Sequence, residues 1–131
     1  MSTPEPQTST ALVIDDDPDI LALLQVVLQD AGFATTCVTH IQPALAALKA
    51  RPFDVLLIDQ WLPDGNGLQI CEAARHYHGN QPAILIVTAD TRSHRYVLAL
   101  QLGADDVIGK PFNIHELVAR IVAHLRCRPA R

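Results

Sequence analysis

Phe53-Asp54-Val55-Leu56-Leu57-Ile58-Asp59 decides how the rest of the chain is read. It is a strand-sized apolar run that ends abruptly on a carboxylate. Such a run fits a strand buried on both faces. Pro63-Asp64-Gly65-Asn66-Gly67 follows at once and is dense in turn formers. Open α/β sheets keep their binding sites outside the carboxyl ends of the strands. Asp59 stands at such an end and is the candidate working residue.

Working outward, Thr10-Ala11-Leu12-Val13-Ile14 and Ala83-Ile84-Leu85-Ile86-Val87 repeat the same pattern. They predict the first and fourth strands, with the third over 54–58. Residues 33–38 include Thr35, Thr36 and Val38 and predict a more exposed second strand. A short fifth strand is expected over 105–108. Helical patterns separate these runs. Asp17 before Pro18 is an N-cap acid followed by a proline in the first turn. The helix it opens is expected to run to 31, with Ile20, Leu23, Leu24, Val27, Leu28 and Ala31 on one face and Gly32 at its end. Further helices are expected over 42–50 (Leu45 and Leu48 inward), 67–78, 93–102, and from the capping box Asn113-Ile114-His115-Glu116 to 126.

Five strand–helix units with short connections argue for an α/β fold, a parallel sheet with helices on both faces. Right-handed crossovers leave few topologies. The expected one is a doubly wound five-stranded parallel sheet in order 2-1-3-4-5, a flavodoxin-like (βα)5 arrangement. The 131 residues suit one domain. Residues 1–9 are expected to be a disordered tail, 10–126 the domain, and 127–131 a tail or the start of a linker. Hydrophobic residues make up 49% of the chain but aromatics only 5%, so aliphatic side chains must fill the core. A net charge of -4 gives no electrostatic footprint for nucleic acid or an anionic membrane. Cys37, Cys71 and Cys127 are widely spaced, which fits free thiols in a reducing compartment. The polar N-terminus is no signal peptide and no apolar run could span a bilayer, so a cytoplasmic protein is expected.

Asp15 and Asp16 follow the first strand, Asp59 ends the third, Thr88 follows the fourth and Lys110 follows the fifth. Any one of them alone is most simply a turn former, cap or solvated side chain. Their joint placement at one edge of the sheet points to a site. Three converging carboxylates repel unless a cation is present. An all-oxygen, carboxylate-rich set suits Mg²⁺ with retained waters rather than Zn²⁺. A carboxylate can act as nucleophile and form an acyl phosphate. Phosphoryl transfer to it needs charge neutralisation, which a metal, a lysine and a hydroxyl supply.

Taken in order, Leu12-Val13-Ile14-Asp15-Asp16-Asp17, Leu56-Leu57-Ile58-Asp59, Leu62-Pro63-Asp64-Gly65-Asn66-Gly67, Ile86-Val87-Thr88-Ala89, Leu102-Gly103-Ala104-Asp105-Asp106 and Lys110-Pro111-Phe112 resemble the receiver domains of two-component response regulators. The resemblance implies that Asp59 accepts a phosphoryl group from a sensor histidine kinase, a phosphotransfer protein or a small phosphodonor. It implies that Asp15, Asp16, Asp59 and the Trp61 backbone carbonyl hold Mg²⁺, with Mn²⁺ as a substitute. Thr88 and Lys110 would bind the phosphoryl oxygens, and the Lys110–Pro111 bond would be cis. Such a domain is no enzyme in the usual sense, although it catalyses its own Mg-dependent phosphorylation and dephosphorylation.

The chain departs from the family in two places. Val107 stands where an aromatic usually reports on the site, and Tyr96 is the candidate substitute. Trp61 stands where a smaller or polar residue is general; with Asp90 it is a candidate for controlling water access. The alternative is that Trp61 packs on a neighbouring loop. Glu116-Leu117-Val118-Ala119-Arg120-Ile121 resembles the winged-helix transcription-factor branch. That likeness makes Asp105, Asp106, Glu116 and Arg120 candidates for a homodimer face on helix four, the fifth strand and helix five. DNA would be reached only through an output domain outside this chain. A Glu116–Arg120 surface pair is the simpler account of those two residues. The six histidines form no ligand cluster, and His76 and His78 are expected to be solvated.

Three other functions compete. A haloacid-dehalogenase-type phosphatase would need more than the Asp15-Asp16-Asp17 run, since Pro18 breaks its pattern and the chain lacks room for a cap. A Ca²⁺ loop from Asp15, Asp17 and Asp19 fails at Ile20 and Val26, where Gly and Glu are required. A receiver-like scaffold working without phosphorylation is the remaining alternative.

Overall fold

A computed structural model describes residues 9–90 and 92–127. The chain runs β1 (Ser9–Ile14), α1 (Pro18–Asp30), β2 (Phe33–Val38), α2 (Ile41–Ala50), β3 (Val55–Asp59), β4 (Trp61–Leu62), β5 (Gly65–Asn66), α3 (Leu68–His78), β6 (Ala83–Thr88), α4 (Ser93–Gln101), β7 (Asp106–Gly109) and α5 (Ile114–Arg126). The five long strands form one parallel sheet in the order β2-β1-β3-β6-β7. That is the expected 2-1-3-4-5 order, with β4 and β5 set aside as a separate hairpin.

The central strands are apolar throughout because both of their faces are covered. Leu12, Ile14, Leu56, Ile58, Ile84 and Ile86 point to one side and pack with Ile41, Ala44 and Leu48 of α2 and Ile70, Cys71 and Ala74 of α3. Ala11, Val13, Val55, Leu57 and Leu85 point to the other and pack with Leu21, Leu24 and Leu28 of α1 and Leu117 and Ile121 of α5. Alternate residues of one strand thus serve two cores. At the amino end of the sheet, the Asp54 carboxylate accepts from the Thr10 amide at 2.8 Å and clips β1 to β3. At the carboxyl end, the Asp15 amide donates to the Val38 carbonyl at 3.2 Å and extends the β1–β2 pairing past Ile14.

The structure differs from the expectations at several points. The segment after Asp59 is a two-rung antiparallel hairpin, Trp61 opposite Asn66 and Leu62 opposite Gly65, where only a turn was expected. The inward face of α1 is Leu21, Leu24 and Leu28, while Leu23 and Val26 are more than half exposed. Apolar residues surround this helix, so the same spacing fits two faces and only packing chooses between them. β1 starts at Ser9, inside the expected tail; residues 1–8 and 128–131 lie outside the described residues. β7 is shifted one residue later than expected; Asp105 still meets β6, its amide donating to the Ile84 carbonyl at 2.7 Å while its carboxylate accepts from the Ile84 amide and from Arg75. His78 is not simply solvated: its Nε2 lies 2.7 Å from the Leu48 carbonyl and ties α3 to α2. Asn113 caps α5, accepting from the His115 and Glu116 amides, but the Glu116 carboxylate turns to Arg120 instead of closing the box.

Candidate functional site

Because β1 and β3 are neighbours, their carboxyl ends bring Asp15, Asp16 and Asp59 together. One carboxylate oxygen of each lies within 4.8 Å of the others. Asp15 is 4% and Asp59 7% exposed, while Asp16 is open to solvent. Asp15 Oδ1 accepts from the Asp17 amide at 2.9 Å, which fixes the carboxylate and leaves Oδ2 for Lys110. Lys110 Nζ stands 3.3 Å from Asp15 Oδ2 and 3.4 Å from Asp59 Oδ2. The lysine backbone is placed by its amide, which donates to the Thr88 carbonyl at 2.8 Å. The Lys110–Pro111 bond is cis.

Thr88 is buried at the end of β6, next to β3 in the sheet. Its Oγ1 accepts from the Asp90 amide at 3.0 Å, so the hydroxyl hydrogen remains available to donate. Asp59 Oδ1 accepts a long 3.4 Å bond from the Trp61 amide. The intervening Gln60 is buried and bonded on both sides through its backbone: its amide donates to Val87 and its carbonyl accepts from Gly67 at 2.6 Å. Gly67 must lack a side chain, since a Cβ there would collide with the Asp59 carbonyl oxygen and with Ile58 Cγ2. The loop therefore folds tightly back against the strand that carries Asp59.

Burial pushes the Asp59 carboxyl above the usual carboxylate range; Lys110 pulls it back and Asp15 pushes it further up. Burial alone would lower Lys110, but Asp15 and Asp59 more than offset this and hold its ammonium above the usual lysine range. Among the described residues, three clustered acids thus share one ammonium, that of Lys110, which pairs with Asp15 and Asp59 and leaves the pocket net negative. Oxygen donors clustered this closely, with the exposed Asp16 opening them to solvent, fit a hard divalent cation such as Mg²⁺ that keeps part of its water shell.

The other expected positions are spread around this centre. The Trp61 side chain is 48% exposed at the start of the hairpin. Asp90 holds Arg92 in a two-bond pair at 2.8 and 2.9 Å. Val107 is buried in the core shared with Ile86, its register partner on β6. Tyr96 is exposed on α4. The four candidate dimer residues all have partners within the chain. Asp105 bonds Arg75 Nη2 at 2.9 Å and the Ile84 amide at 2.8 Å. Asp106 faces Arg120 at 3.3 Å and His124 at 3.1 Å. Glu116 pairs with Arg120 at 2.9 Å.

Two contributors were not evident from the sequence. The sequence gives no role to Gln60. Asp64 looked like a turn former, yet its carboxylate accepts from the Ile41 and Gln42 amides at the start of α2. The only signal in the sequence was that His40, which precedes α2, is a poor cap.

A family model described as the response regulator receiver domain matches residues 11–122. The DNA-binding response regulator MtrA of Mycolicibacterium smegmatis is 41% identical over 115 residues, covering 88% of this chain and 50% of that protein. The transcriptional regulatory protein BaeR of Escherichia coli is 35% identical over 125 residues, covering 95% of this chain and 51% of that protein. The chain thus spans about half the length of the curated relatives it matches. A CheY-like response regulator receiver domain protein from Methanospirillum hungatei superposes with a TM-score of 0.86 at 28% identity, covering 92% of this chain and 95% of that one.

Proposed function

The chain belongs to the response regulator receiver domains, and from that premise we propose that Asp59 is its phospho-acceptor in a two-component signalling system. The observation that carries this is the meeting of Asp15, Asp16 and Asp59 within 4.8 Å, with Lys110 Nζ reaching both buried acids. An Asp59 carboxylate oxygen attacks the phosphorus of a phosphohistidine or an acyl phosphate. The new P–O bond forms as the bond to the donor breaks, and the donor leaves with the electron pair. Burial strips water from Asp59 and readies it as a nucleophile, and Lys110 then turns its ammonium to a phosphoryl oxygen. The Thr88 hydroxyl donates to another. Asp15, Asp16, Asp59 and the Trp61 carbonyl would hold Mg²⁺, or Mn²⁺ in its place, which would supply charge neutralisation to the phosphoryl group.

The donor is a sensor histidine kinase or a phosphotransfer protein. An apolar recess lined by Ile20, Leu23, Pro111 and Phe112 opens beside Lys110. A protein presenting a phosphohistidine to Asp59 would rest there. Among the described residues no helix is long and apolar enough to cross a membrane, in keeping with work in the cytoplasm. Two relatives are named for DNA binding or transcriptional regulation. By analogy this domain switches the dimerisation or partner binding of a DNA-binding output half.

Incubation with Mg²⁺ and acetyl phosphate should add the mass of one phosphoryl group, and Asp59→Ala should abolish the addition. Catalytic hydrolysis of phosphate esters would point to a phosphatase instead. An unchanged mass in a protein that retains its fold would point to a scaffold that works without phosphorylation.

A further inference from the structure

The hairpin after Asp59 is attached to a helix from a different part of the chain. Helix α1 is capped by its own N-cap residue, Asp17, which accepts from the Asp19 amide at 2.9 Å, and α5 is capped in the same way by Asn113. Helix α2 differs. Its N-cap residue, His40, makes no side-chain cap bond, and its Nδ1 lies 2.7 Å from Thr39 Oγ1 instead. The cap comes from the hairpin, 23 residues away: Asp64 Oδ1 accepts from the Ile41 amide at 2.9 Å and Oδ2 accepts from the Gln42 amide at 3.3 Å. Gly65 follows with φ 146°, and a Cβ there would press on Ile41 Cδ1. Leu62 is buried in the core that contains Ile41. The outer end of the hairpin is therefore pinned to the first turn of α2. Its inner end carries Trp61, whose amide bonds Asp59 Oδ1.

A six-residue hairpin with two rungs has little stability of its own. Its position depends on what its ends are tied to. We propose that Asp64 is a positioning residue for the metal site: by capping α2 from the hairpin, it holds the Trp61 carbonyl where that carbonyl can complete the ligand set of Asp15, Asp16 and Asp59. The inference rests on the metal-binding reading given above. It adds that the first turn of α2, itself no part of the site, fixes one of the ligands.

Trp61 is the only tryptophan in the chain, so Mg²⁺ titration followed by its fluorescence reads the site without any phosphoryl transfer. Asp64→Ala should weaken Mg²⁺ binding about tenfold, the low end of what loss of an outer-sphere partner does, and should lower Tm. Asp64→Asn removes the charge but keeps an acceptor for the amides, so it should bind Mg²⁺ close to wild type. Adding His40→Ser to Asp64→Ala gives α2 a local cap. That double variant should regain Tm but not Mg²⁺ affinity, because the hairpin stays untied. Three results overturn the inference alone: wild-type affinity in Asp64→Ala, equal losses in Asp64→Asn and Asp64→Ala, or recovery of affinity with the local cap. A wild-type protein with no Mg²⁺ response overturns the reading of the site, and the inference with it.

Discussion

Asp59 is costly to the fold in the metal-free protein. Its carboxyl is raised from 3.8 by burial and by Asp15, against the pull of Lys110. A group raised in the folded state contributes stability that is fully present below its unfolded pKa and is lost as pH rises through its folded pKa. At neutral pH the ionised Asp59 therefore works against folding. Asp59→Asn should raise the Tm of metal-free protein at neutral pH, and the gain should vanish below about 3.8, where Asp59 is protonated in both states. Thermal melts of both proteins across that range, with chelator present, check the sign. Trp61 raises a separate question. Its side chain is half exposed, two residues after Asp59. If it screens the acyl phosphate from water, Trp61→Asn should shorten the phosphoprotein lifetime severalfold in a decay assay; equal lifetimes would mean that the indole merely lies over the loop. Asp15, Asp16, Asp59, Thr88 and Lys110 were legible in the sequence because each lies at, or within two residues after, the carboxyl end of a strand. Gln60 and Asp64 were not, because their partners lie on β6 and at the start of α2, and no local pattern encodes a remote partner.

At the scale of elements, the sheet was legible and the hairpin was not, for a physical reason. A buried strand leaves a run of apolar residues, and five such runs separated by helical periods allow few folds. Strands of two residues, β4 and β5, are too short to show any alternation. The inward face of α1 was misjudged for the opposite reason: too many positions are apolar. The hairpin nonetheless makes definite demands. Gly67→Ala would drive a methyl group into the Asp59 carbonyl and Ile58, and the backbone that carries Asp59 would have to move. We expect a lower Tm and slower labelling by acetyl phosphate, whereas Gly79→Ala, strained by a φ of 59° but with nothing within 4 Å of the added carbon, should lower Tm yet label at the wild-type rate. Asp64 adds a pH signature. Its carboxyl is held below the usual 3.8, chiefly by the Ile41 amide. A group depressed in this way contributes stability above its unfolded pKa and loses it as pH falls through the folded value. The Tm difference between wild type and Asp64→Ala should therefore be full at neutral pH and shrink once pH drops below about 3.8.

For the molecule as a whole, the question is what would turn a phosphoryl group at one sheet edge into a new association. The family resemblance pointed to charged residues on β7 and α5, but Asp106, Glu116 and Arg120 are paired within the chain. Exchanging these for pairs across a dimer replaces one partly exposed ion pair with another. Each is worth only about 0.2–1 kcal/mol, so the exchange is close to neutral. Apolar surface offers more. Val97 and Leu100 are one helical turn apart on α4, 48% and 38% exposed, with Tyr96 beside them. Burying the exposed remainder of one such side chain contributes on the order of 1 kcal/mol. A dimer on this face should then depend on the apolar residues for affinity and on the ion pairs mainly for register. Val97→Asp should abolish any dimer that forms after phosphorylation, while Arg120→Ala should weaken it only a few-fold. Sedimentation velocity with and without acetyl phosphate and Mg²⁺ tests both variants. If Arg120→Ala proves the more damaging, the ion pairs must exchange between chains with a gain that exposed pairs do not ordinarily show. Val107, buried beside its register partner Ile86, carries no aromatic ring to swing, so a phosphorylation signal to α4 would need another route. One such route runs from Thr88 Oγ1 through the Asp90 amide and the Asp90 carboxylate to Arg92, the residue that precedes α4. Asp90→Ala would cut that route without touching the phospho-acceptor. It should leave phosphorylation of Asp59 intact and reduce the phosphorylation-dependent change in sedimentation.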